Sequence, residues 1–259
     1  MPDWSPKQYL KFANERTQPC RDLAARIDLA NVNRVIDLGC GPGNSTAVLR
    51  DRWPGAEFTG LDNSVGMIER ARREFPGQQW IAADISEWAA NGGPQFDIVF
   101  SNAALQWVED HAWLYPRLLS RVAPGGALAI QIPANIDALP HRLMREVAAS
   151  SPWKSRFPAG KVTEWHHHEM DFYYDVLAPS ARLDIWATEY LHILPDTAAI
   201  VEWYRGTGLR PFLEVLETEA DRERFAADYL EALRPHFPPR PAGGVLFPFR
   251  RIFVIAYRG

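Results

Sequence analysis

The first residues along the chain whose types and spacing could do chemistry lie in Asp37-Leu38-Gly39-Cys40-Gly41-Pro42-Gly43-Asn44-Ser45-Thr46. Glycine lacks a Cβ, so it takes positive φ at little cost and lets a ligand lie directly against the backbone. Asn44 and Ser45 then open a segment of helical period, whose first N–H groups have no partner inside a helix. A polar or charged ligand suits that arrangement. A second apolar run, Glu57 to Leu61, ends in Asp62, a carboxylate 19 residues beyond Gly43 and suited to bidentate capture of a ribose diol. Without that acid, the three glycines would read equally well as a tight strand-to-helix turn. With it, they point to an adenosine-containing ligand.

Two kinds of adenosine ligand compete for such a loop. Nicotinamide enzymes space their glycines G-x-G-x-x-G and rest a pyrophosphate on the helix N-terminus. Here the spacing is G-x-G-x-G, and Asp37 stands two residues before the first glycine, where a pyrophosphate would meet a carboxylate. S-adenosylmethionine carries no phosphate but has an α-ammonium and a sulfonium, and an acid beside the loop suits those cations. An NAD-dependent oxidoreductase and a non-catalytic module for adenosine-type ligands are the rival functions.

The elements that must position these residues follow from period and punctuation. Short apolar runs alternate with helical segments: Arg34 to Leu38 then Ser45 to Trp53, Glu57 to Leu61 then Val65 to Phe75, Gln79 to Ala82 then a short helix near Glu87. Phe96 to Ser101, His111 to Val122 and Gly126 to Ile132 continue as strand, helix and strand, with a turn at Pro124-Gly125-Gly126. Such alternation predicts an α/β fold, a Rossmann-like doubly wound parallel sheet covered on both faces. From Asn135 to Gly244 the alternation stops, which predicts an inserted, mostly helical lobe around one strand, Leu183 to Leu194. A last run, Arg251 to Tyr257, is expected to return to the sheet and pair antiparallel with the strand around Leu183 to Tyr190. Residues 1–134 thus read as the cofactor-binding core with an N-terminal cover, and 135–259 as the substrate lobe plus the last two strands, within one structural unit.

Composition narrows the class. With 259 residues, 47% of them hydrophobic, the chain can bury a full core without metal or disulfide staples. A net charge of -4 and a pI near 6.0 argue against a nucleic-acid binder and favour a small-molecule substrate. No apolar run is long enough to span a membrane, and Met1 to Leu10 lacks a basic segment followed by an apolar one, so a cytoplasmic protein is expected. Cys20 and Cys40 are too few for a disulfide framework and read as reduced, unreactive thiols.

From Val35 to Pro133 the chain resembles the class I S-adenosylmethionine-dependent methyltransferases. DLGCGPGNST is similar to their first motif, GLD ending at Asp62 to the second, Trp80 to Ile85 to the third, and Asp97 to Asn102 to the fourth strand. The resemblance implies a seven-stranded sheet of order 3-2-1-4-5-7-6 with the last strand antiparallel. It also implies donor contacts at Asp37, Gly39, Cys40, Gly41, Asn44, Asp62, Asn63, Met67, Asp84, Ile85, Asn102, Ala103 and Leu105. A narrower resemblance, to the bacterial trans-aconitate methyltransferases, rests on both ends of the chain. Asp3-Trp4-Ser5-Pro6 with Tyr9, Phe12, Arg16 and Pro19 is similar to that family's N-terminal cover, which assigns Trp4, Tyr9 and Arg16 to the cofactor. Asn102-Ala103-Ala104-Leu105-Gln106-Trp107, Trp203 with Thr207-Gly208-Leu209-Arg210-Pro211, and Phe247-Pro248 with Arg251 and Phe253 complete it, whereas Ala149 to Met170 fits poorly.

That resemblance implies methyl-ester formation on a small polycarboxylic acid. A carboxyl group of pKa near 4 is already ionised at neutral pH, so positioning, desolvation and charge matching replace a catalytic base, and no catalytic residue is expected. Such a substrate needs cations. Arg210 is the first choice, ahead of Arg251, His141 and Arg145, because arginines on helices more often cover apolar surface. Gln106, Trp107, His111, Tyr173 and Trp203 are further candidates for the substrate cleft, although any one aromatic reads equally as core. Should carboxylic acids fail, another oxygen or nitrogen acceptor comes next, with Gln106 or His111 orienting it. His166-His167-His168 does not have metal-ligand spacing, and no metal is expected.

Overall fold

In the computed structural model, residues 12–158, 162 and 165–259 are described, so Trp4 and Tyr9 lie outside the described residues. Helix α1 (Ala13–Arg26) precedes the alternation β1 (Arg34–Leu38), α2 (Asn44–Arg52), β2 (Glu57–Asp62), α3 (Val65–Glu74), β3 (Gln79–Ala82), α4 (Ile85–Ala90), β4 (Phe96–Asn102), α5 (His111–Ser120) and β5 (Val122–Pro133). Then come α6 (Leu139–Ala149), α7 (Met170–Leu177), β6 (Ala181–Leu194), α8 (Thr197–Arg205), α9 (Arg210–Val215), α10 (Glu219–Leu233) and β7 (Val245–Arg258). The seven strands form one sheet in the order β3-β2-β1-β4-β5-β7-β6, as the sequence resemblance implies. Strands β1 to β5 pair in parallel, and β7 runs antiparallel to β5.

Local chemistry accounts for the elements. In β1, Val35, Ile36 and Leu38 are fully buried, as befits a central strand covered on both faces, and Asp37 is the one polar residue among its four buried ones. Helix α3 starts where the Ser64 hydroxyl accepts from Met67 N, and it buries Met67, Ile68 and Ala71 at helical spacing. Pro124-Gly125-Gly126 falls inside β5, not before it: the ladder with β4 shifts register between Phe96 and Ile98, and a Cβ on Gly126 would stand 2.5 Å from the Asp97 carbonyl.

By its internal contacts the chain divides into two compact units. The first comprises Met1–Pro133, His166–Thr188 and Arg251–Gly259, and the second Ala134–Trp165 and Glu189–Arg250. The segment 166–188, expected with the lobe, groups with the first unit because Tyr173 of α7 stacks on Tyr115 of α5 at 5.0 Å and Trp186 of β6 stacks on Phe253 at 4.7 Å. In the second unit α6 packs on α10, the Tyr229 hydroxyl donating to the Pro140 carbonyl at 3.1 Å. Its core holds Trp203, Tyr204, Phe225, Phe247 and Phe249.

Candidate active site

All three loop glycines have positive φ, at 70° for Gly39, 54° for Gly41 and 97° for Gly43, yet each is glycine for a different reason. A Cβ on Gly39 would lie 2.1 Å from the Ala104 Cβ, so this position lets the loop after β4 pack down. A Cβ on Gly43 would reach Phe75 at 2.9 Å. A Cβ on Gly41 would meet no atom within 4 Å among the described residues, its two chain neighbours aside, which leaves room for a ligand at this residue. The Gly41 amide donates to Asp62 Oδ2 at 2.9 Å and Ser64 N donates to Asp62 Oδ1 at 2.9 Å, so the second-strand carboxylate is fixed at the loop's edge. Asn63 beside it is exposed and Met67 is buried.

A cleft holding about 380 Å³ of space, open to solvent, runs along this loop. Gly39, Cys40, Gly41, Asn44 and Ser45 form one wall, Arg16, Thr17 and Cys20 of α1 another, and Asn102 at the end of β4 a third. Thr17 and Cys20 were not expected there; Arg16, one helical turn before Cys20, was a signal for Cys20. Asp37 lies beneath: its Oδ2 accepts from Ser45 Oγ at 2.6 Å and Thr46 Oγ1 at 2.7 Å, while Oδ1 is buried with no hydrogen-bond partner among the described residues. Burial above all, with the Asp62 charge adding, pushes its carboxyl up to about 6 against the pull of the two hydroxyls. Asn102 Oδ1 is a second buried acceptor without a partner. Unmet acceptors suit a ligand with cationic and N–H donors, not a pyrophosphate. Burial likewise raises the thiols of Cys20 and Cys40, and Cys40 packs with Ile68, Ala71 and Trp80, so both are inert, unpaired cysteines.

Asp84 caps α4, accepting from Ser86 N at 2.7 Å and Glu87 N at 3.1 Å, and Ile85 Cδ1 stands 3.9 Å from where a Gly39 Cβ would be. After β4, Ala103 takes a φ of 56° and donates to the Gln131 carbonyl, Leu105 is fully buried, and Gln106 Nε2 donates to the Ala103 carbonyl at 2.7 Å. His111 has both ring nitrogens occupied. Nε2 donates to the Leu105 carbonyl at 3.0 Å, since a carbonyl only accepts, which leaves Nδ1 to accept from the Tyr173 hydroxyl at 3.2 Å. Burial holds this imidazole down to about 4, so it is neutral and braces the loop from within. Trp107 is half-buried. His168 stacks on Phe172, and no cluster of metal-ligating residues occurs among the described residues.

In the second unit a smaller hollow, about 230 Å³ with the open solvent at its mouth included, is lined by Ile136, His141, Arg145, Trp165, Gly208, Pro211 and Phe212. His141 and Arg145 line it and Arg210 does not; the Arg210 guanidinium instead meets Glu214 at 2.5 Å, one helical turn on. Trp203 is a core aromatic, 4.8 Å from the His192 ring and 5.7 Å from that of Phe247. Arg251, in the first unit, is buried and donates to Gln131 Oε1 at 3.3 Å. Gln131 escaped the sequence reading, although a lone amide in the apolar run Ala127 to Ile132 was a legible signal.

Residues 35–126 match the methyltransferase domain family, the class that this sheet order and glycine cleft define. Among solved structures, the YcgJ protein of Bacillus subtilis superposes with a TM-score of 0.58 at 15% identity, covering 93% of this chain and 98% of that one. The phosphoethanolamine N-methyltransferase 2 of Haemonchus contortus gives 0.55 at 14% identity, covering 93% and 52%. Those identities speak for the fold alone. Far nearer are the trans-aconitate 2-methyltransferases of Rhodopseudomonas palustris (strain BisA53), 48% identical over 99% of both chains, and of Azoarcus sp. (strain BH72), 48% identical over 100% of both. The chain belongs to this family of methyltransferases. Its methyl donor is S-adenosylmethionine.

Proposed function

We propose that this protein transfers the methyl group of S-adenosylmethionine to a carboxylate oxygen of a small polycarboxylic acid of the trans-aconitate type, giving a monomethyl ester. The observation that carries the reading is identity near 48% from end to end with enzymes bearing that name. Bound S-adenosylmethionine supplies an electrophilic methyl group on a sulfonium centre. In this reading Asp62, held by the Gly41 and Ser64 amides, accepts the ribose hydroxyls. Gly41, with no Cβ, admits the ligand to the backbone, and the buried acceptors Asp37 Oδ1 and Asn102 Oδ1 answer its ammonium end. Arg16 closes the cleft from α1.

The chain supplies no general base in this reading, and none is needed for an acceptor already ionised at neutral pH. His111 is neutral with both nitrogens engaged, so its part is to hold the segment after β4 in place. Two inert thiols and the absence of a helix long and apolar enough to cross a membrane, among the described residues, fit a proposed cytoplasmic location. The test is a radiolabelled methyl-transfer screen over di- and tricarboxylates. A product whose label is released by mild base supports the ester; transfer confined to amines or phenols overturns the reading.

A further inference from the structure

A row of polar side chains crosses three strands at the carboxyl ends of β4 and β5. Asn102, the last residue of β4, is in register with Gln131 of β5, so both side chains leave the same face of the sheet. On the other side of β5, Gln131 stands opposite Phe253 of antiparallel β7. Arg251, two residues from Phe253, shares that face by the period of two, and its Nη1 meets Gln131 Oε1 at 3.3 Å. Gln131 and Arg251 are both buried, and Asn102 forms part of the glycine-cleft wall. Neighbouring strands lie about 4.8 Å apart, so Gln131 sits one strand from the cleft and Arg251 beyond it.

The chemistry of the amide then fixes its direction. A guanidinium can only donate, so Gln131 must turn its oxygen to Arg251 and its NH2 group elsewhere. That nitrogen, Nε2, is buried with no hydrogen-bond partner among the described residues. Buried side-chain donors are nearly always met, and one left over beside a cation suits an anionic acceptor. The cleft itself shows the opposite polarity, with unmet acceptors at Asp37 Oδ1 and Asn102 Oδ1. Cation-seeking groups and anion-seeking groups thus adjoin in one face of the sheet.

We propose that Gln131 and Arg251 form the subsite for one carboxylate of the acceptor acid, with Gln131 Nε2 donating to it and Arg251 supplying the charge. The subsite rests on the reading of the acceptor as a polycarboxylate. Next to the methyl-donor cleft, it would anchor the acid by one carboxylate and leave another for the donor.

Gln131→Glu is the telling variant, because it keeps an acceptor for Arg251 but replaces the NH2 donor with a second carboxylate oxygen. Steady-state kinetics with trans-aconitate should give a KM for the acid raised at least about tenfold, as for a lost hydrogen bond to a charged group. The affinity for S-adenosylhomocysteine, measured by calorimetry, should stay within about twofold, since the donor cleft is untouched. The penalty should shrink for an analogue with one carboxyl converted to an amide, which a purely structural role for Gln131 would not produce. Gln131→Met serves the same comparison if the glutamate variant does not fold. Ester formation by the unaltered enzyme with acid KM unmoved in a folded variant overturns the subsite alone. Failure of the unaltered enzyme to esterify any polycarboxylate overturns the acceptor reading, and the subsite with it.

Discussion

Gly39→Ala and Gly41→Ala separate the two jobs of the glycine loop. Both residues have positive φ, so an alanine pays left-handed strain at either position, about 1–2 kcal/mol. At Gly41 the new methyl group meets nothing within 4 Å among the described residues, its chain neighbours aside. Strain alone then lowers stability, a fall in Tm of roughly 2–8 °C for a chain of this size. At Gly39 the methyl group would sit 2.1 Å from the Ala104 Cβ, and neither carbon can turn away by a rotamer change. Overpacking adds about 1–3 kcal/mol to the strain, so Gly39→Ala should be the less stable by that margin. Ligand binding should rank the other way per unit of stability lost. If the donor lies against Gly41, the same 1–3 kcal/mol of overpacking falls on the complex, and Kd for S-adenosylhomocysteine rises about 5- to 150-fold in a protein that is still folded. Thermal melts and titration calorimetry on the two variants make the test. A folded Gly41→Ala protein that binds S-adenosylhomocysteine as tightly as the unaltered one would refute the approach of ligand to Gly41. Equal melting temperatures for the two variants would refute the packing argument at Gly39.

Further outcomes follow from the same geometry. Asp62→Ala removes the acceptor of the Gly41 and Ser64 amides, so donor affinity by calorimetry should fall by at least about tenfold, and an unchanged Kd would contradict the ribose role. Asp37 is bound to its proton up to about 6 in the fold against 3.8 in the unfolded chain, so its contribution to stability is complete below 3.8 and is lost as pH rises through 6. Melts of Asp37→Asn across that window should lack this decline; a profile parallel to the unaltered protein's would refute it. His111 has the opposite sign, its folded value near 4 lying below 6.5, so the fold loses stability as pH falls through that range, and His111→Asn should flatten the acid limb of the same melts.

What the sequence alone determined is local. The alternation of apolar runs and helical segments placed β1 to β5 within a residue or two, apart from β5, whose Pro-Gly-Gly start is absorbed into the strand by a register shift. The period of a buried strand and the period of a helix are properties of neighbouring residues, so no long-range information is needed. Asp37 and Asp62 were legible because each lies a fixed distance from the glycines along the chain. Only the tertiary structure decided what each residue faces. Three glycines of like appearance divide into two held by packing and one open to ligand, because Ala104, Phe75 and Trp80 arrive from other parts of the chain. His111 and Tyr173, plausible substrate contacts by type, become each other's partners, and Trp203 becomes core. Gln131 and Arg251 are 120 residues apart, and they meet because β7 inserts antiparallel beside β5. Strand pairing brings together residues that share no local pattern, and so the side chains that bind are settled by topology where the loop that holds them was settled by sequence.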